Sequence, residues 1–404
     1  PVDSFAPPPR TRFGGSVSSP WMLAAVLAAI VLGLVGLRDR RPRLFQYLPV
    51  PFWCYVLPMI GGTFRLFPEA SPVYPLLGRY ALPFCLSLLL INVDLRALVR
   101  LGRPAVLAMG LGVAGIGMGA VLGLFLFHGN LPPGAWKAVG ALSASWTGGS
   151  ANMLAVKEAL SAPEAVFAPV VVIDSFFAYA WMAGLISLAG FQESFDRWVG
   201  AGTVGAPPPA GRGPTFRVPW PGVPAAAAVL ALVALVVGDR AGPALTAAVA
   251  TVAPGWAATL SPSTWTVLTV TTLTLAVSLT GGFRANPERT ERWGTTVLYV
   301  LLASLGARAS LAALGRAPYF LAVGACILAV HAVILWAGGR LFRLPLFLLA
   351  SASQACVGGV VSAPMVSAVY RPALSAVGLL LAVTGNVVGT YFGLVVAQIS
   401  SRWG

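Results

Sequence analysis

The 404-residue chain is 57% hydrophobic and only 9% charged. Uncharged runs of about eighteen residues or more recur between short arginine-bearing loops, which is typical of a polytopic helical membrane protein and excludes a soluble domain. The formal net charge of +14 does not indicate a nucleic-acid partner, because the arginines stand beside apolar runs as membrane topology requires. The predicted partner is the lipid bilayer.

Residues 1–19 are rich in proline, serine and glycine and do not begin with Met, so we expect a truncated, disordered lead-in. The first apolar run meets the charged stretch RDRRPR without a small-residue cleavage site, which favours a retained span over a signal peptide. The four cysteines lie in apolar runs without metal-ligand spacing, and we interpret them as packing residues.

Twelve runs are clearly long enough to cross a membrane. They cover about residues 20–37, 44–62, 73–92, 104–127, 137–160, 163–190, 219–238, 263–283, 294–313, 317–337, 344–370 and 373–399. A thirteenth run, residues 242–259, is weakened by Pro254 and Gly255. If this run crosses and the N-terminus is outside, fifteen Lys and Arg residues are cytoplasmic and ten are outside. If it does not cross, every later loop changes side, and twelve are cytoplasmic and thirteen outside. We therefore predict thirteen spans in the inner membrane of a bacterial-type cell, with the N-terminus outside and the C-terminus cytoplasmic.

An internal repeat relates the two halves of the chain. The stretch LVRLGRPAVLAMG from Leu98 resembles LAALGRAPYFLAVG from Leu311, about 213 residues later, and the glycine pair at residues 148–149 recurs at 358–359. In the count of thirteen spans, the two glycine pairs lie on spans of opposite direction. The predicted fold is an all-α polytopic membrane protein with about 13 transmembrane helices in two inverted-topology repeats. We assign residues 20–190 to the first repeat, 191–241 to a polar linker and connecting helix, and 242–404 to the second repeat.

The two glycine pairs predict two discontinuous helices. Polar residues accompany the glycines in SASWTGGSANMLAVKEAL and in ASQACVGGVVSAPM. Freed backbone groups and half-helix ends at each break can hold an ion or a small charged solute. The alternative is that glycine and serine only allow helices to pack closely. The substrate-binding residues that we predict at the breaks are Thr147, Gly148, Gly149, Ser150, Asn152, Ser353, Gln354, Gly358 and Gly359.

Asp174 is the strongest single candidate for a functional residue. It lies about ten residues from either end of its apolar run, so its carboxylate must face a cavity, a partner or a bound cation. The alternative is a neutral carboxyl group bonded to Ser175 or Tyr179. Hydroxyl, amide and carboxylate oxygens suit a hard cation, and we predict Na+ at Asp174, Asn152 and Gln354. The predicted cation-coupling residues are Asp174, Ser175, Asn386, Thr147, Asn152 and Gln354.

The chain contains no G-x-S-x-G, H-E-x-x-H or Walker A motif. We therefore predict neither an enzyme nor a cofactor other than bound Na+, and any pumping must be driven by an ion gradient. We interpret His331 as a packed neutral imidazole, and Lys157 with Glu158 as an interfacial pair.

The motifs ASWTGGSANMLAVKEAL, VVVIDSFFAYAW, INVDLRALVR and ASQACVGGVVSAPM resemble a family of predicted integral membrane proteins, domain of unknown function 819. That family is grouped with cation/proton antiporters and with bile-acid and glutamate sodium symporters. The resemblance implies an elevator-type movement, a homodimer, and a core domain with two crossed broken helices beside a panel domain. It assigns residues 104–190 and 317–399 to the core, and residues 20–92 and 242–313 to the panel.

The resemblance also places Asp174 where antiporter relatives keep an acidic residue. Two departures count against a simple Na+/H+ antiporter. Ile173 and Asp174 stand where those relatives carry a polar or acidic doublet, and the eleventh predicted span contains His331 but no lysine.

Several functions remain open from the sequence. The first is a secondary active transporter that moves a small organic, anionic solute with Na+ or H+. The second is a monovalent cation/proton antiporter. A non-transporting membrane receptor or scaffold and a channel are the alternatives of other classes.

Overall fold

The computed structural model describes residues 19–45, 50–68, 70–92, 102–202, 220, 222–256, 259–280, 286–309, 311, 317–371 and 374–403. Every regular element within these ranges is helical. The helices are α1 (Pro20–Arg40), α2 (Val50–Thr63), α3 (Val73–Leu90), α4 (Arg103–Phe127), α5 (Ala135–Gly148), α6 (Ser150–Ala159), α7 (Glu164–Ser187), α8 (Gln192–Val199), α9 (Gly222–Val252), α10 (Pro262–Thr280), α11 (Pro287–Arg308), α12 (Ala317–Phe342), α13 (Leu346–Val357), α14 (Gly359–Tyr370) and α15 (Ser375–Ser400).

Seven helices in the described part of the chain are long and apolar enough to cross a membrane. They are α1, α3, α4, α9, α12, α15 and the helical run Glu164–Val199, which contains α7 and α8. The prediction of an all-helical protein with several membrane-spanning helices is confirmed at this level.

The chain reverses at the first glycine pair. Gly149 has a φ of +79°, a left-handed conformation that glycine adopts without steric cost. Val156 on α6 and Gly140 on α5 pack against the same residue of α15, Gly393, so α6 returns alongside α5. We call α5, Gly149 and α6 the first hairpin.

The second glycine pair makes the same reversal. Gly359 has a φ of +68°. The Ser367 hydroxyl on α14 donates to the Ser351 hydroxyl on α13 at 2.8 Å. Further from the turn, the Arg371 guanidinium lies 5.7 Å from the ring centroid of Phe347. We call α13 and α14 the second hairpin.

The breaks therefore occur where the sequence predicts them, but neither helix continues across the membrane. The hairpin arms contain 14, 10, 12 and 12 residues. At about 1.5 Å per residue each arm is about 15–21 Å long, well short of the roughly 30 Å hydrocarbon core. The prediction of two crossed, discontinuous helices that pass through is corrected to two hairpins that each reach about half-way.

The two hairpins enter from opposite faces. Gly119 of α4 packs against Ile327 of α12, and Gly123 against Val323, so these helices are antiparallel. The second hairpin follows α12 after a short turn, and its first arm returns along α12 with Leu349 beside Gly339. Its arm α13 therefore runs in the same direction as α4.

The first hairpin runs the other way. Gly385 and Phe392 of α15 pack against Met109 and Gly117 of α4, so α15 is parallel to α4. Contacts of α5 with α15 run in the opposite order, from Gly140 beside Ala397 to Gly148 beside Gly385. Because α5 is antiparallel to α4 and α13 is parallel to it, the two hairpin tips point towards each other. We call the face at which the first hairpin enters the first-hairpin face, and the opposite face the second-hairpin face.

Residues 242–256 do not form a separate span. Residues 242–252 continue α9 after a π-helical turn at Val237–Ala241. That turn ends two residues before Pro243 and accommodates the missing N–H of the proline. Arg79 of α3 pairs with Asp239 of α9 at 2.6 Å, whereas Leu88 packs near Val223. This antiparallel order makes the stretch before Gly242 a single crossing.

The next helix, α10, runs back beside α9. Its Thr266 packs against Gly238 of α9, and its Thr274 hydroxyl donates to the Ser87 hydroxyl of α3 at 3.3 Å. α10 is therefore parallel to α3 and antiparallel to α9, and no third crossing is inserted between them. The expected span at residues 242–259 is wrong, because an uncharged stretch of sufficient length instead prolongs an existing helix beyond the bundle.

The first helix, α1, begins at the face where the last helix, α15, ends. Asp39, at the end of α1, lies 3.6 Å from Arg292 near the start of α11. Arg308, at the end of α11, lies 3.4 Å from Glu164 beside the base of the first hairpin. Trp403, after α15, contacts the end of α4, which leads into the same hairpin. The described ends of the chain, Ser19 and Trp403, therefore lie at the same face, which differs from the predicted placement of the termini on opposite sides.

Two groups of helices follow from these contacts. α4–α7 and α12–α15 carry the hairpins and pack around them, and we call them the hairpin group. α1–α3 and α9–α11 pack mainly with one another, and we call them the outer group.

Candidate functional site

The tip of the first hairpin is held against α15 by one amide side chain. Asn152 Nδ2 donates to the Gly148 carbonyl oxygen at 2.5 Å and to the Asn386 carbonyl oxygen at 3.3 Å. The Thr390 hydroxyl donates to Asn152 Oδ1. Asn152 therefore fixes the tip to the middle of α15, and sequence reasoning missed its partner Thr390.

Glycine at residue 385 permits this close approach. A Cβ at Gly385 would collide with the carbonyl oxygen of Thr147, so a larger residue would push α15 off the tip. The side-chain oxygen of Asn386 lies 3.7 Å from the position that a Cβ on Gly149 would take. The structure thus brings Thr147, Gly149, Asn152 and Asn386 together, as the predicted site requires.

The tip of the second hairpin is organised by Gln354. Its Nε2 donates to the Ser362 hydroxyl at 2.8 Å and to the Ala178 carbonyl oxygen at 3.3 Å. The first bond joins the two arms next to Gly358, and the second joins the hairpin to α7. Gln354 Oε1 is buried and has no hydrogen-bond partner.

Within the described part of the chain, two buried polar atoms near the tips lack hydrogen-bond partners. They are Thr147 Oγ1 and Gln354 Oε1. An unsatisfied buried polar group costs about 1–3 kcal/mol. One is an acceptor and the other is a hydroxyl that can donate or accept, so both hairpins offer groups to a polar ligand.

Asp174 lies on α7 next to the first hairpin. Its carboxylate faces the side chains of Ser145 and Trp146 on α5. The Trp146 ring packs edge-on against Phe177, which fixes α7 against α5. Ser175, the neighbouring predicted ligand, donates to the Val171 carbonyl oxygen at 3.3 Å and so bonds within its own helix. The predicted cation site thus retains Asp174 beside the hairpin, whereas the Ser175 hydroxyl is used locally.

A hydrogen-bond chain that sequence reasoning missed runs through the predicted residue Ser353. Trp181 Nε1 donates to Ser353 Oγ at 2.8 Å, and His331 Nε2 lies 2.8 Å from the same oxygen. His331 Nδ1 lies 2.9 Å from the Gly112 carbonyl oxygen, to which it must donate. Nε2 of a neutral imidazole then accepts from the Ser353 hydroxyl. Ser353 therefore links α7, α12, α13 and α4, which agrees with the interpretation of His331 as a packed neutral group.

Cationic side chains lie away from the tips. The described Lys and Arg residues of the hairpin group stand at helix ends or at the hairpin base: Arg103, Lys137, Lys157, Arg340, Arg343 and Arg371. Positive potential at the tips is supplied instead by the N-terminal amides of α6 and α14, which begin at Ser150 and Gly359. In the described part of the chain no three His, Cys, Asp or Glu residues are grouped as a metal site.

Comparison with known proteins identifies the chain at the level of a family. The model of a protein family of unknown function, DUF819, matches residues 22–403. The "Uncharacterized membrane protein YjcL" of Bacillus subtilis (strain 168) is 26% identical over 172 residues, which is 43% of this chain. The match spans 42% of that relative's length.

Proposed function

This chain belongs to the DUF819 family of membrane proteins, and we propose that it is a secondary active transporter. It moves a small organic, anionic solute together with Na+ or H+ by alternating access. The observation that carries the proposal is the pair of hairpins that enter from opposite faces and present unpartnered polar atoms near their tips. Irregular backbone at membrane depth is tolerated where it lines such a site.

The proposal includes two inverted-topology repeats, as the sequence predicts. In these repeats α4 corresponds to α12, the first hairpin to the second hairpin, and α7 to α15. The two members of each pair run in opposite directions. The counterparts begin at similar offsets: Arg103 and Ala317 differ by 214 residues, and Glu164 and Ser375 by 211. Transporters commonly bind substrate between such repeats, because exchange of two conformations then exposes one site to each side in turn.

The solute and the coupling ion use different groups in this proposal. The N-terminal amides of α6 and α14 hold the anionic group of the solute. Thr147 Oγ1 and Gln354 Oε1 supply further polar contacts from the two tips. Asp174 binds the coupling cation or proton beside α5, and Asn152 and Asn386 hold the first tip to α15, so both ligands influence the same hairpin.

We further propose that the hairpin group moves as a unit against the outer group, in a homodimer in the bacterial inner membrane. The extensive contacts within each group support rigid units of this kind. Fewer polar contacts join the two groups in the described part of the chain. Arg308 pairs with Glu164, the hydroxyls of Ser261 and Thr264 bond the end of α6, and Gly255, Thr259 and Thr272 bond side chains of α15.

A monovalent cation/proton antiporter is the second candidate. The intramembrane carboxylate of Asp174, close to a hydroxyl and an indole of α5, favours it, since one carboxylate can bind a proton and a metal ion alternately.

Flux measurements in proteoliposomes test the proposal. We expect uptake of a radiolabelled small carboxylate from a test panel under an imposed Na+ or pH gradient, and loss of uptake in Asp174→Asn. The matched control is Asp239→Asn in the outer group, whose carboxylate pairs with Arg79 and which should retain uptake. A pH change driven by Na+ without any organic solute favours the antiporter. Binding without flux indicates a receptor and contradicts both transport proposals, and a conductance far above ordinary turnover indicates a channel.

A further inference from the structure

A cavity lies between the outer group and the hairpin group, away from the hairpin tips. Its volume is about 190 Å³. Trp256, Leu260 and Leu268 line it from the return after α9 and from α10, and Leu394 and Val395 line it from α15. The cavity is partly open. It lies next to the base of the first hairpin, because Thr264 on its wall donates to the Ala159 carbonyl oxygen.

The hydroxyl groups on the cavity wall are already engaged elsewhere. Thr264 Oγ1 bonds the carbonyl oxygens of Ala159 at 3.0 Å and Thr259 at 2.7 Å. The Thr259 hydroxyl bonds Gln398, and the Tyr391 hydroxyl lies 2.7 Å from Thr272 Oγ1. A buried water needs roughly two to four polar partners, which these hydroxyls do not supply. The wall therefore suits a hydrocarbon.

The size of the cavity also suits a hydrocarbon. An apolar protein cavity of about 150 Å³ stays dry and binds benzene, and this one is somewhat larger. Leaving it empty would forfeit the dispersion contacts of the leucine and tryptophan side chains around it. Val395, on its wall, is 40% exposed on a helix that is long and apolar enough to cross a membrane, so the wall extends to the outer surface of that helix.

We propose that this cavity binds one acyl chain of a membrane lipid, wedged between α10 and α15. The acyl chain fills the gap between α10 of the outer group and α15, the helix that holds the first hairpin tip. If the groups move as proposed above, the acyl chain must leave or be carried along, so bilayer composition would affect the rate of that movement. The consequence for movement rests on the proposed function, whereas the binding itself does not.

Photo-crosslinking with a lipid tests the binding directly. The full chain is placed in phosphatidylethanolamine and phosphatidylglycerol vesicles that contain a phospholipid with a diazirine in the middle of one acyl chain, and adducts are mapped by peptide mass spectrometry. We expect adducts on Trp256, on residues 259–268 and on residues 391–395. Leu394→Phe fills the cavity and should reduce these adducts at least about fivefold.

Leu379→Phe is the matched control, because Leu379 lies on the same helix but is 43% exposed, whereas Leu394 is 4% exposed. It should leave the adducts unchanged. If Leu394→Phe does not fold, Leu268→Phe fills the cavity from α10. Adducts that persist in a folded cavity-filling variant, or that spread evenly over the exposed surface of α9 and α15, overturn the proposal. Because no flux is measured, this outcome is independent of whether the protein transports anything.

Discussion

The Glu164 carboxylate at the start of α7 lies 3.4 Å from the Arg308 guanidinium at the end of α11, so an ion pair joins the hairpin group to the outer group. The same carboxylate is 2.8 Å from the Lys157 ammonium group, which also pairs with Glu158 at 2.9 Å. The side chain of Lys157 is only 5% exposed, whereas that of Arg308 is 37% exposed.

Lys157 and Arg308 should contribute unequally to stability. Lys157→Met leaves two carboxylates without their buried cation, and we expect a loss of roughly 3–5 kcal/mol in the free energy of unfolding. Arg308→Gln removes a partly solvated pair, and we expect a loss of at most about 1 kcal/mol. Thermal unfolding of the detergent-solubilised variants checks the order. Equal losses would mean that the buried cluster is not held as the structure describes.

Gly149 and Gly359 should resist substitution although a Cβ would have space at both residues. No atom lies within 4 Å of a Cβ built on Gly359, so only its left-handed φ opposes a side chain. We expect Gly149→Ala and Gly359→Ala each to cost about 1–3 kcal/mol in unfolding free energy, because both residues have a positive φ. Gly184→Ala on α7, where the Cβ also has space and φ is not left-handed, should be neutral or stabilising by up to about 1 kcal/mol. Thermal unfolding measures the three variants. If the two tip variants lose no more stability than Gly184→Ala, the tip glycines do not have the positive φ that the structure gives them.

Asn152 and Thr390 should be energetically coupled. Thr390→Val leaves the Asn152 side-chain oxygen buried without its donor, which should cost about 1–3 kcal/mol. Once Asn152→Ala has removed that oxygen, the further cost of Thr390→Val should be much smaller. A double-mutant cycle by chemical or thermal unfolding measures this coupling. Strictly additive losses would contradict the contact between α6 and α15.

The membrane topology can be tested by cysteine labelling. Ser19→Cys and Arg402→Cys, each in a chain without its four native cysteines, should react with a membrane-impermeant maleimide from the same side. Arg343→Cys, at the entry to the second hairpin, should react from the opposite side. Labelling of residues 19 and 402 from opposite sides would contradict the reversal of the hairpins.

The described cations also predict which face is cytoplasmic. Eleven Lys and Arg residues lie at the second-hairpin face and seven at or near the first-hairpin face, so the second-hairpin face should be cytoplasmic. The eleven are Arg38, Arg40, Arg41, Arg43, Arg103, Arg197, Arg289, Arg292, Arg340, Arg343 and Arg371; the seven are Arg65, Arg79, Lys137, Lys157, Arg240, Arg308 and Arg402. In intact cells, residues 19 and 402 should therefore label from outside.

The sequence was sufficient to locate both helix breaks, because a glycine pair is a local signal. It could not distinguish a broken helix that continues from one that turns back, since both require glycine at the break. That distinction depends on contacts between distant residues, such as Val156 with Gly393 and Arg371 with Phe347. Hydropathy likewise could not separate a new span at residues 242–259 from an extension of α9.

Only those features of the candidate site that leave a local signal could be predicted from the sequence. Asp174 stood out because a carboxylate deep in an apolar run is rare. The roles of Thr390 and Trp181 were not visible, since threonine and tryptophan are ordinary residues of membrane helices and their partners lie on other helices.

The packing of the first hairpin on α15 also constrains how the protein is made. Gly140 and Gly148 rest against Ala397 and Gly385, which leave the ribosome more than two hundred residues later. Until α15 is synthesised, the hairpin has polar tip atoms but lacks the helix that covers them, and its arms are too short to be inserted as independent spans. Chains truncated before α15 should therefore leave the first hairpin accessible to protease, and biogenesis of the two halves should be completed in one final docking step.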